Sequence, residues 1–105
     1  MVFFLYKTGK LKKAAFVFGE HARELVSPES GLRFLDTLCR SNTNDIKKIR
    51  KNFEIRMVLN ANPNSRKKVE NGEYCLRTNQ NKVDLNRNWS SGFVSKVGLY
   101  KKVWK

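Results

Sequence analysis

His21-Ala22-Arg23-Glu24 sets an imidazole and a carboxylate three residues apart. At the start of a helix an i, i+3 pair faces one way, so a ring nitrogen and a carboxylate oxygen can converge on one cation. Both are zinc-ligating groups, and a catalytic zinc needs a third protein ligand and one open position. On spacing alone, the more usual reading is a solvated His–Glu pair. Asp84-Leu85-Asn86-Arg87-Asn88-Trp89 is the second candidate. An arginine fork between asparagine amides suits two-point recognition of a carboxylate or phosphate. The competing reading is an amide-rich turn with a solvated arginine and a packed tryptophan. Arg66-Lys67-Lys68 is a basic triplet of the kind that ordinarily forms a solvated face.

These residues need elements to carry them. Ala14-Ala15-Phe16-Val17-Phe18-Gly19 reads as a buried strand ended by glycine. Ser27-Pro28-Glu29 reads as a helix start, with Ser27 as N-cap and Pro28 at the first helical position. Leu32, Leu35, Leu38 and Cys39 follow at helical spacing, Phe34 close by, and the helix fades near Arg40-Ser41-Asn42. A shorter polar helix is expected from Asn44 to about Lys51, packed through Ile46 and Ile49. Phe53, Ile55, Met57 and Leu59 alternate with Glu54, Arg56, Val58 and Asn60, which is a strand with one apolar face. Strand, helix and strand make a βαβ unit and an α/β class. Asn62-Pro63-Asn64-Ser65 is turn chemistry, and residues 64–84, almost all polar, read as a long functional loop. In open α/β sheets ligands bind beyond the carboxyl ends of strands. His21 and the stretch from Asn60 to Arg66 both follow such ends, so a metal pair and two arginines are expected around one crevice.

Composition bounds the function classes. The chain has 105 residues and a net charge of +13, with 40% hydrophobic residues, too apolar for a disordered tail. No apolar run reaches the roughly 18 residues of a membrane span. The opening Met1–Tyr6 run is shorter than the roughly 7–15 residues of a signal-peptide core, and localisation is left open. Cys39 and Cys75 cannot make a disulfide-dense scaffold, and their pairing is not fixed by sequence. A charge of +13 first suggests nucleic acid. Of it, +8 lies in residues 1–13 and 96–105, leaving +5 for residues 14–95. The basic residues do not interleave with aromatics in one recognisable module, which weighs against that partner.

Gly19-Glu20-His21-Ala22-Arg23-Glu24, Asn62-Pro63-Asn64, Arg66-Lys67 and Asp84-Leu85-Asn86-Arg87-Asn88-Trp89, in that order, resemble the zinc metallocarboxypeptidases of the carboxypeptidase A and B type. The resemblance covers about residues 14–89, with 1–13 as a basic flank and 90–105 as a basic tail outside the pattern. It implies a partial three-layer α/β/α carboxypeptidase-type sheet, cut after its first strands and helices. It also implies Zn2+ as cofactor, with His21 and Glu24 as two of three ligands and Arg23 beside them in the substrate cleft. Arg66 would stabilise the oxyanion, and Asn86 with Arg87 would grip the C-terminal carboxylate of a peptide or protein. The third ligand of the family is a downstream histidine and its general base a later glutamate. This chain has no histidine but His21 and no acid after Asp84. Ser65 stands where the family commonly has glycine, and Tyr100 is not in the context of the substrate-capping tyrosine.

The expectation is therefore an N-terminal fragment of a metallocarboxypeptidase, with little peptidase activity and poor zinc affinity on its own. The alternatives are a non-catalytic decoy that holds peptide C-termini, or a basic nucleic-acid binder. Residues 90–105 read as a truncated or misassembled gene product, or a truncated paralogue. Asn88-Trp89-Ser90 matches a glycosylation acceptor by coincidence of overlap with the carboxylate-binding motif.

Overall fold

A computed structural model describes residues 2–5 and 11–89 of the chain. The expectations for Met1 and Tyr6, for the flank lysines Lys7 and Lys10, for Ser90, for Tyr100 and for the rest of the 90–105 tail lie outside those residues. The chain divides into two compact units, Met1–Phe18 with Leu25–Ala61, and Gly19–Glu24 with Asn62–Lys105.

The first unit is a mixed three-stranded sheet in the order β1-β3-β2, with β1 at Val2–Leu5, β2 at Lys12–Val17 and β3 at Phe53–Val58. β3 runs parallel to β2, Lys12 opposite Phe53 and Val17 opposite Val58, and antiparallel to β1, Val2 opposite Val58. Two helices, α1 at Val26–Arg40 and α2 at Asn44–Asn52, connect the parallel strands. This is the expected βαβ order. β1 carries no periodic signal of its own, being a short apolar run. It and the first residues of β2 bring part of the basic flank into the sheet.

The alternating strand is observed as read. Ile55, Met57 and Leu59 join Leu38 in a buried cluster, flanked by Phe18, Phe34, Leu35, Ile46, Ile49 and Phe53. Each large side chain so buried contributes about 1.5–3 kcal/mol. Three expectations are corrected. α1 begins at Val26 with Leu25, not Ser27, at the cap, and no side chain caps it. Pro28 falls in its first turn, where a missing N–H costs little. The buried stripe of α1 runs through Pro28, Gly31 and Leu38, while Leu32 and Cys39 are exposed. A Cβ on Gly31 would lie 2.7 Å from the Phe18 ring, so that stripe depends on a glycine. β2 is not a buried strand: Ala15, Phe16 and Val17 are exposed, because among the described residues it pairs on one side alone.

The second unit is mostly polar. Gly19 opens its first segment at φ 70, a left-handed conformation that favours glycine. The expected irregular stretch of 64–84 instead begins as helix α3, Pro63–Glu70, with Pro63 at its first position. Ser65 and Val69, one turn apart, are its buried residues. Asn79 closes the loop that follows, its Oδ1 accepting from the N–H groups of Asn81 (2.9 Å) and Val83 (3.0 Å). A 3-10 turn at Leu85–Arg87 completes the described part. Ala22, Val69 and Leu85 form its apolar burial, beside buried His21, Asn62 and Ser65.

Candidate metal and carboxylate site

All six residues singled out in the sequence belong to this second unit. His21 is 8% exposed, and its Nδ1 lies 2.9 Å from Glu24 Oε1. The i, i+3 convergence is thus observed, carried by a turn closed by Glu24 N–H donating to His21 O (3.1 Å) rather than by a helix. On the other side of the ring Nε2 lies 3.0 Å from Asp84 Oδ1. A second carboxylate on the far nitrogen holds the ring's orientation, the usual support of a metal-ligating histidine. With the proton on Nε2, Nδ1 and Glu24 Oε1 are two acceptors facing each other at 2.9 Å. A cation between them would meet one lone pair from each.

Asp84 also accepts from Arg77 Nε at 2.9 Å, and the Asn86 N–H donates to its Oδ1 at 3.1 Å. Burial raises the Asp84 pKa, but hydrogen bonds from Arg77 and His21, with their charges, outweigh it and hold the carboxyl below its ordinary value. Arg77 Nη1 reaches Glu24 Oε1 at 3.6 Å. His21, Glu24, Arg77 and Asp84 therefore form one closed network of a ring, two carboxylates and a guanidinium.

Arg77 was not among the sequence candidates. No spacing rule marks it, since it lies in the polar stretch before Asp84. The available signal was only an arginine in a long polar loop, seven residues before Asp84. Arg66 sits on α3, its Nε 2.7 Å from Glu70 Oε1. Arg23 is exposed beside the His21–Glu24 pair. Asn86 and Arg87 lie in the 3-10 turn, with Arg87 exposed and its Nη1 donating to Asn86 O at 3.0 Å. Asp84 caps that turn through the Asn86 N–H, so one carboxylate orients both the histidine ring and the Asn86–Arg87 turn.

The donor set suits zinc in part. One imidazole nitrogen and one carboxylate oxygen face each other, with the histidine supported from behind. Among the described residues no group of three His, Cys, Asp or Glu side chains is arranged to hold a metal ion. No described helix is long and apolar enough to cross a membrane. Cys39 and Cys75 are free, exposed thiols.

The family model for zinc carboxypeptidases matches residues 6–103. The chain belongs to the zinc carboxypeptidase family. That match runs beyond both ends of the 14–89 block that carries the motifs. A crystal structure of thrombin activatable fibrinolysis inhibitor (TAFI) is similar in fold, with a TM-score of 0.74 and 19% identity over 81% of this chain. The match covers 24% of that structure's chain, so this chain spans about a quarter of its length. No curated protein matches the sequence. The mixed sheet and helices described above are therefore a part of the carboxypeptidase fold.

Proposed function

We propose that this chain is the segment of a zinc-dependent carboxypeptidase that supplies two metal donors and the grip on a peptide's C-terminal carboxylate. The whole domain would hydrolyse the last peptide bond. The observation that carries the reading is the facing of His21 Nδ1 and Glu24 Oε1 at 2.9 Å with Asp84 behind the ring. His21 and Glu24 would hold Zn2+. When bound, zinc supplies Lewis-acid polarisation of the scissile carbonyl. With its proton on Nε2, toward Asp84, His21 would present the Nδ1 lone pair to the metal.

The oxyanion role expected of Arg66 suits Arg77 better. A fixed cation stabilises developing charge only where that charge forms, and Arg77 is 3.6 Å from the Glu24 carboxylate. Arg87, exposed on its turn, and Asn86 would bind the terminal carboxylate, with Arg23 lining the approach. The isolated chain, with two metal donors, is expected to release few or no amino acids from peptides.

The test compares binding of one peptide with a free and with an amidated C-terminus. Free-carboxylate peptides should bind about tenfold more tightly, since loss of a charged two-point contact costs that much. Arg87→Ala should erase the difference. Equal binding of the two peptides by the unaltered chain would refute the carboxylate site.

A further inference from the structure

Asn62 occupies the N-cap position of α3, yet its side chain makes no cap hydrogen bond to that helix. It is 4% exposed, and its Nδ2 donates to the backbone oxygens of Glu20 (3.2 Å) and Thr78 (3.2 Å). Glu20 immediately precedes His21, and Thr78 immediately follows Arg77. One amide group thus joins the segment that carries the metal pair to the loop that carries the neighbouring cation. The same seam is closed by the Ala22 N–H donating to Arg77 O (3.2 Å), and Trp89 Nε1 donates to Glu20 Oε1 (3.0 Å).

We infer that Asn62 is a positioning residue for the His21–Glu24 pair and Arg77, acting through the Glu20 and Thr78 carbonyls. The geometry demands this side chain. Two backbone oxygens need two donors on a single atom, and a planar amide nitrogen offers two. Aspartate keeps the shape but offers none. Glutamine keeps both donors but moves the nitrogen by one bond, about 1.5 Å. Pro63, next in the chain, holds Asn62 outside the helical region at φ −134, ψ 58, and lacks an N–H that would need capping. The clasp stands on geometry alone; its bearing on zinc rests on the proposed function.

The test uses the full chain and the variants Asn62→Ala and Asn62→Asp. Its first readout is amide hydrogen exchange at Ala22, with the Phe18 N–H, which donates to Val58 O in the first unit, as control. Exchange at Ala22 should rise about tenfold in Asn62→Ala and further in Asn62→Asp, where a carboxylate faces two carbonyls. Phe18 should not change. A residue that merely fills space predicts the opposite order, with the near-isosteric aspartate close to wild type, and that order would overturn the inference. If neither variant folds, the wild-type chain still decides. Asn62 Nδ2 should show slow exchange and couplings across its hydrogen bonds to the Glu20 and Thr78 carbonyl carbons. A freely exchanging, uncoupled amide would refute the clasp. The second readout is Zn2+ titration followed at the His21 ring. Half-saturation should need about tenfold more Zn2+ in Asn62→Asp. No response of His21 in the wild type would sink the zinc reading, while amide exchange would still judge Asn62. An unchanged half-saturation in Asn62→Asp, alongside a wild-type response, would remove Asn62 from the positioning of the pair.

Discussion

In the unit of Met1–Phe18 and Leu25–Ala61, the buried centre is Leu38, Ile55, Met57 and Leu59, and among the described residues no charged side chain shares it. In the unit of Gly19–Glu24 and Asn62–Lys105, Ala22, Val69 and Leu85 are buried beside His21, Asn62 and Ser65 among the described residues. The first is held by area removed from water, a non-directional force that tolerates shape-conserving change. The second is held by directed bonds to single atoms, where loss of one partner strands another. The contrast teaches where chemistry can reside. A cluster of ring, carboxylates and guanidinium needs fixed positions, and in this unit hydrogen bonds, not packing, supply them.

The largest effect expected falls on the apolar unit. Leu38→Ala should cost about 2–5 kcal/mol in chemical denaturation, since it opens a cavity at a fully buried site. A loss under about 1 kcal/mol would show that the core is not what holds that unit. Next comes Asp84→Ala, which strips an acceptor from both Arg77 and His21 and should cost about 1.5–3 kcal/mol. Were Asp84→Ala harmless, the description of the second unit as bond-held would fail. Gly31→Ala should cost about 1–3 kcal/mol by pressing a methyl group on the Phe18 ring, and Phe18→Leu should relieve part of it.

Acid sharpens the comparison further. The folded Asp84 pKa lies below the ordinary aspartate value of about 3.9. In that window the unfolded chain binds more protons, so Asp84's contribution is complete above about pH 4 and is lost as pH falls through the folded pKa. Amide exchange at Ala22 should therefore accelerate on acidification beyond its intrinsic pH dependence, before that at Phe18 does. Simultaneous loss at both would place the sensitivity elsewhere. The smallest effect is Arg66→Ala, which removes an i, i+4 pair with a half-exposed Glu70 and should cost about 0.5 kcal/mol.

The same contrast explains what was legible in the sequence. The apolar unit announces itself by period: the alternation at Phe53–Leu59 and the Ile46–Ile49 pair of α2 lie where expected. Its misreadings were of surroundings, since burial of the 14–19 strand depends on what covers it. The polar unit has little period to read. α3 leaves little trace in the sequence, because Ser65 and Val69 are its whole buried face. β1 has no period of its own, because its four apolar residues take their pairing from β3. Of the candidate site, the approach of His21 to Glu24 was legible from i, i+3 spacing, while the carboxylate grip of Asn86 and Arg87 stands as a proposal. Arg77, Asp84's grip on His21 and the Asn62 clasp were not legible. Each joins residues distant in sequence through single atoms, and no local pattern encodes such a contact.

The most direct test of the central claim is a Zn2+ titration of the isotopically labelled chain, read at the His21 ring, the Glu24 carboxylate and the Arg77 guanidinium by NMR. Weak, saturable changes confined to the Gly19–Glu24 segment, Arg77 and Asp84 are expected, abolished by His21→Ala. No change at His21 and Glu24, or a tight complex that survives His21→Ala, would contradict that claim.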